Sequence, residues 1–222
     1  KHYSEELMAL EKNQDNRVRR AIWNALKNYK KDESVSDFLQ NVISTDKKYY
    51  SVADAFKALV VVDTAAARQL VESLIEKDSH NDVIRKAAIS FYGSVISDEN
   101  YDRLIELVAY GGTTWDARPE AVNQLSKYVK TKPKTIDVFV DMLEDKSRSI
   151  RRNAIRAIRS HGDKTHLGIL DEVLENDPMM SRDVRSAKKN ILHPPKKINK
   201  NGRNKNLEDV YKKLEEIRKL IH

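Results

Sequence analysis

The sequence has no cysteine. That removes disulfides, thiolate metal ligands and cysteine nucleophiles together, and leaves the redox compartment open. Glycine and proline are scarce, at 6 and 5 of 222 residues, and hairpin dipeptides are rare, so the turns that an all-β chain needs are missing. Long apolar runs are missing as well. The longest, Ala58 to Val62, falls far short of the roughly 20 residues that a membrane helix requires, and no membrane partner is expected. No Gly-rich phosphate loop, Ser nucleophile elbow or carboxylate pair stands out. The histidines are His2, His80, His161, His166, His193 and His222, and no two have the spacing of a zinc-binding H-E-x-x-H. His161 and His166 lie on either side of Gly162 and do not share a regular helical face, so each reads as an exposed or capping residue.

What is abundant is helix-forming: Ala, Leu, Lys, Glu and Arg fill the chain, which predicts an all-α protein. The stretch Ser149 to Ile158 repeats through the sequence. Its lead residue Ile150 has counterparts at Val18, Val52, Ile84, Ala117 and Val184, separated by steps of 34, 32, 33, 33 and 34. Arg follows the lead at Arg19, Arg85, Arg118, Arg151 and Arg185, and only Ala53 breaks the column. A fixed period of this size with two helical patterns per unit predicts a stacked helix-pair array, because one pair alone leaves an apolar face that only a neighbour can cover.

Along the chain, Ser4, Ser34, Ser51 and Thr64 are placed to cap first turns, and Asn81 or Asp82 to accept from the amides that open the following helix. Gly111-Gly112 should end the helix that runs to Tyr110, and Pro119 suits a first turn. Three stretches result: residues 1–192 as the repeat array, 193–205 as a basic linker set off by Pro194-Pro195, and 206–222 as an amphipathic helix. The striped side of that last helix carries Leu207, Val210, Leu214, Ile217 and Ile221, and is expected to dock on the end of the array. Because the chain opens at Lys1 without a leader, it reads as a segment of a longer protein, with a cytoplasmic location as the default.

The lead-residue, Arg, small-residue pattern resembles HEAT repeats of the short kind. That resemblance covers Tyr3 to Leu192 and implies a right-handed α-α superhelix, a HEAT-like solenoid of six helix pairs plus a C-terminal helix, with the second helix of each pair on the concave side. A narrower resemblance lies in Tyr49-Tyr50-Ser51-Val52-Ala53-Asp54-Ala55, Asp78-Ser79-His80-Asn81-Asp82-Val83-Ile84-Arg85-Lys86-Ala87-Ala88 and Ala109-Tyr110-Gly111. These segments are similar to the HEAT-type C-terminal domain of zinc aminopeptidases of the aminopeptidase N family. The resemblance implies a non-catalytic domain that covers the active-site cleft of an upstream catalytic domain and limits peptide access. Zinc would then sit in that upstream domain, and no cofactor in this stretch. The alternatives are a scaffold that takes a partner protein in its concave groove and, with less support, a HEAT-type nucleic-acid binder.

The net charge of +7 is unevenly spread: the tail beyond Leu192 carries nine basic against four acidic residues, leaving only +2 for the repeats. That distribution weighs against nucleic acid as the partner. The densest basic area contains Arg151, Arg152, Arg156, Arg159 and Arg185, the candidate binding residues of a concave face for acidic peptide segments or phosphates. The competing reading of the Arg column is structural. There, the guanidinium groups bond turn carbonyls or Asp15, Asp82, Asp116 and Asp183 and register neighbouring repeats.

Overall fold

The computed structural model describes residues 2–12 and 15–194, and every regular element among them is helical, with no strand. The protein is all-α, and its helices fall two to a repeat. They group into two compact units that divide at the end of the sixth helix, between Phe91 and Tyr92. The first unit holds α1 (His2–Ala9), α2 (Asn16–Leu26), α3 (Glu33–Thr45), α4 (Tyr49–Val62), α5 (Thr64–Ile75) and nearly all of α6 (Val83–Tyr92). The second holds α7 (Asp98–Val108), α8 (Arg118–Leu125), α9 (Thr135–Asp141), α10 (Arg148–His161), α11 (Leu167–Asn176) and α12 (Ser181–Leu192). Short 3-10 turns extend or precede several of them, as at Ser126–Lys130 after α8 and Met142–Glu144 after α9. Most of the linker 193–205 and the whole helix 206–222 expected from the sequence lie outside the described residues.

In the first unit α4 is the hub, packed on α2, α3 and α5. Its composition follows from that position. A helix with neighbours on three sides must be apolar nearly all round, and Val52, Ala53, Ala55, Phe56, Ala58, Leu59 and Val62 are all buried. The break in the Arg column therefore falls on the most enclosed helix of its unit, where Ala53 fits and is 2% exposed. Trp23, Phe56 and Phe91 are the largest side chains of this core, with Phe56 and Phe91 in tilted contact at 6.5 Å between ring centroids. In the second unit α10 packs on α8, α9 and α12, so the second helices of three successive repeats form a row. Ile150, Ala154, Ile155, Ala157 and Ile158 supply its buried stripe, at the 3.6-residue spacing read from the sequence.

The caps differ from the sequence reading in an instructive way. Ser4 lies inside α1 and is buried. Asp32 caps α3 by accepting from the Val35 amide at 3.3 Å, and Ser34, the second residue of the helix, donates to that same carboxylate at 2.7 Å. Helix α4 opens after Lys48 without a side-chain cap, and Ser51 is buried within it. Asp63 accepts from the amides of Ala65 and Ala66 at 3.1 and 3.0 Å, while the Thr64 hydroxyl donates back to the Val60 carbonyl at 3.0 Å. Before α6 the acceptor is Ser79 Oγ, 3.0 Å from the Ile84 amide, whereas Asn81 and Asp82 take positive φ to make the turn. Where an Asp stands upstream of the expected hydroxyl, the Asp wins: a carboxylate accepts charge-assisted bonds and complements the positive end of the helix dipole.

Candidate functional site: the arginine column and the basic face of α10 and α12

Four of the five column arginines, Arg19, Arg85, Arg118 and Arg151, sit in the first turn of a second helix, where the side chain reaches the end of the first helix of its own pair. Arg85 Nε donates to the Ile75 carbonyl and Arg118 Nε to the Val108 carbonyl, at 2.6 and 2.7 Å. Arg151 donates to the carbonyls of Asp145 and Lys146 at 2.7 and 3.2 Å. These are last-turn or turn carbonyls left without intrahelical donors, so the guanidinium serves as their C-terminal cap.

The remaining donors go forward. Arg118 pairs with Asp145 at 2.6 Å, 27 residues on, and Arg151 with Asp177 at 2.7 Å, 26 residues on. Arg19 pairs with Asp46, again 27 residues on, and also with Glu11. In each case the acid closes the first helix of the next repeat. Arg85 has Gly111 and Gly112 at the corresponding offset and closes instead on Asp82 and, more loosely, Asp78. The structural reading of the column as a tie between repeats therefore holds for Arg19, Arg118 and Arg151, with a correction of partners, while Arg85 bonds a turn carbonyl and acids of its own repeat. Asp82 serves as expected, but Asp15 binds Arg17 and Asp183 binds Arg152. The column acids are Asp46, Asp145 and Asp177, which sequence reasoning missed although their recurrence at a constant forward offset was there to be found.

Burial follows the pairing. Arg19, Arg85 and Arg118 are 7, 8 and 8% exposed, a position an arginine holds only when an acid meets its charge; the Arg19 Nε is nevertheless buried without a hydrogen-bond partner. The hydrogen bonds from Arg151 hold the Asp177 carboxyl below its ordinary value of 3.8, outweighing the smaller upward push of burial. Arg185 is different: it is exposed and makes no ion pair among the described residues.

Of the five candidate binding residues, Arg151 is thus committed to register. Arg152 Nε donates to Asp183 at 3.2 Å and Arg159 reaches the Ser186 hydroxyl at 3.4 Å, both from α10 to α12. Arg156 is exposed, with only the Asn153 amide oxygen at 3.4 Å. On α12, Lys188 is held by Asp171, while Arg182, Arg185 and Lys189 are exposed. Arg152 and Arg159 thus turn from α10 toward α12, Arg156 is exposed on α10, and Arg185 is exposed on α12.

Among the described histidines, His166 takes a structural role. His166 Nδ1 accepts from the Asp163 amide at 3.2 Å, completing a capping box ahead of α11. Burial, then the charge of Lys130, pulls the pKa of His161 below its ordinary 6.5, which keeps it neutral at neutral pH. No group of three His, Cys, Asp or Glu side chains able to hold a metal ion occurs among the described residues. No family model matches the chain, and neither the curated proteins nor the solved structures furnish a match.

Proposed function

We propose that this chain is a non-catalytic binding module of HEAT type, a solenoid of helix pairs whose α10 and α12 face takes acidic segments of a peptide or protein partner. One observation carries the reading. After the column and its neighbours have made their internal pairs, Arg156, Arg182, Arg185 and Lys189 remain exposed on two packed helices, with no ion pair among the described residues. Cations in such a position steer and hold an acidic partner at little desolvation cost. Anisotropy titration of a labelled oligoglutamate peptide tests this. Charge reversal of the four residues should weaken binding at least tenfold, with a clear loss between low and physiological salt. Equal binding by the reversed variant would sink the reading, and a steeper salt slope for duplex DNA than for the peptide would transfer the face to nucleic acid.

The finer setting follows from the resemblance: the C-terminal region of a zinc aminopeptidase, where such a face would help limit which peptides reach the cleft. Supporting it, the matched segments are built as compact structural units. His80–Asp82 forms a turn with Asn81 and Asp82 at positive φ, and Gly111 takes φ +82 just beyond α7. The full coding sequence decides this part. An H-E-x-x-H with a downstream Glu upstream of Lys1 supports the setting, and its absence leaves the scaffold.

A further inference from the structure

The connection between α7 and α8 is longer than register requires. Residues 46–48 suffice between α3 and α4, and residues 145–147 between the Met142–Glu144 turn and α10, whereas α7 and α8 are joined by residues 109–117. The extra length is folded, not slack. Gly111 takes φ +82, Gly112 approaches the Glu106 carbonyl so closely that a Cβ would meet it at 1.9 Å, and the Ala117 and Arg118 amides both bond the Thr114 carbonyl. This loop holds out Tyr110 and Trp115, 84 and 85% exposed, the two most exposed large apolar residues among those described. Such exposure is costly to solubility, and Trp and Tyr are the residues that most often anchor interfaces.

Between the loop and the start of α10 lies a recess of about 440 Å³. Its walls are Tyr110, Trp115, Thr113 and Ile150, and its charged groups are Arg118, Asp145 and Lys146. Arg118 and Asp145 neutralise each other at 2.6 Å, and the Arg118 guanidinium carbon stands 6.0 Å from the Tyr110 ring centroid, bracing that ring. The charge left over is the Lys146 ammonium, which has no acidic partner among the described residues. The next recess along shares Asp145 and Lys146 with it and adds Glu144, Glu172 and Asp177 against Arg151, so acids outnumber bases there and discourage a run of carboxylates.

We propose that this corner is a docking site for a peptide segment of a partner protein, with an aliphatic or aromatic residue between Tyr110 and Trp115 and a single adjacent carboxylate on Lys146. The inference rests on the binding-module reading but uses a different surface from the α10 and α12 face, and a different recognition pattern: one apolar anchor with one acid, not an acidic run.

The sequence provides its own probe, because of the two Trp residues Trp23 is 1% exposed and Trp115 is 85% exposed. Titration of the whole chain with the capped peptide acetyl-Ala-Leu-Leu-Glu-Ala-amide should shift the Trp115 emission to shorter wavelength, saturably, and protect it from iodide quenching. Trp115→Ala should lose the signal while keeping the melting temperature. Replacing Glu by Gln in the peptide, or Lys146→Gln in the protein, should each weaken binding about 2- to 5-fold, and combining them should weaken it no further. The proposal is overturned by no spectral change up to the solubility limit, by equal binding of a peptide with Ser for both Leu, or by a blue shift that grows with protein concentration alone, which would mark self-association. Loss of oligoglutamate binding on the α10 and α12 face leaves this readout untouched, so the two readings fail separately.

Discussion

Two arginines with the same place in the repeat should behave oppositely. Arg118 caps the Val108 carbonyl and pairs with Asp145, with side chains 10 and 13% exposed. Arg118→Ala leaves the Asp145 carboxylate without its counter-charge, with only the Ser147 amide still donating to it, and takes the guanidinium from the Val108 carbonyl, and urea denaturation should show a loss of about 3 kcal/mol. Arg185→Ala, on an exposed side chain, should stay within about 0.5 kcal/mol. The two are indistinguishable as letters in the column, since what separates them is a forward acid that the repeat alignment about the lead residue does not bring into view. Acid should act on the same device. Asp177 has a depressed pKa in the folded state, so its contribution is complete above its ordinary 3.8 and is lost as pH falls through the lower, folded value. The urea midpoint should therefore drop more steeply below about pH 4 in the wild type than in Asp177→Asn; parallel curves would dissociate Asp177 from the acid sensitivity.

At the scale of elements, periodicity carried the helices and small residues carried their contacts. Ala87 and Ala154 are 1 and 0% exposed, and Ala154→Leu should cost about 1 to 3 kcal/mol by overpacking, read as a lowered melting temperature. Gly93 marks a tighter approach that periodicity does not signal: a Cβ there would stand 2.2 Å from Gln124 Oε1 and 2.8 Å from Gln124 Cβ. Gly93→Ala should destabilise, and Gln124→Ala should relieve the clash only in part, because the Gln124 Cβ stays in place. Helix starts were the weakest part of the reading. Ser34 and Thr64 are good caps in isolation, yet Asp32 and Asp63 took the role. Asp63→Ala should cost about 1 kcal/mol, and its loss also frees the Ser36 hydroxyl, which donates to it at 2.9 Å.

At the scale of the whole molecule, the period near 33 residues made the all-helical architecture legible before any coordinates. Residues 109–117 were not legible as a surface. Tyr110 and Trp115 occupy positions where apolar residues ordinarily continue a helix or open the next one, and only the folded path of the loop turns them outward. The arrangement of acids and cations was similarly hidden, since pairing decides which charges remain for a partner. The forward direction of the pairing has one more consequence. Arg118 reaches Asp145 across 27 residues and Arg151 reaches Asp177 across 26, always toward the C-terminus. On the ribosome, the guanidinium groups of Arg118 and Arg151 emerge before the carboxylates that neutralise them, so these two ion pairs must wait for most of the following repeat to be translated, whereas Arg85 meets Asp82 and Asp78 already behind it. Completion of these two ties during synthesis thus lags translation by about one repeat.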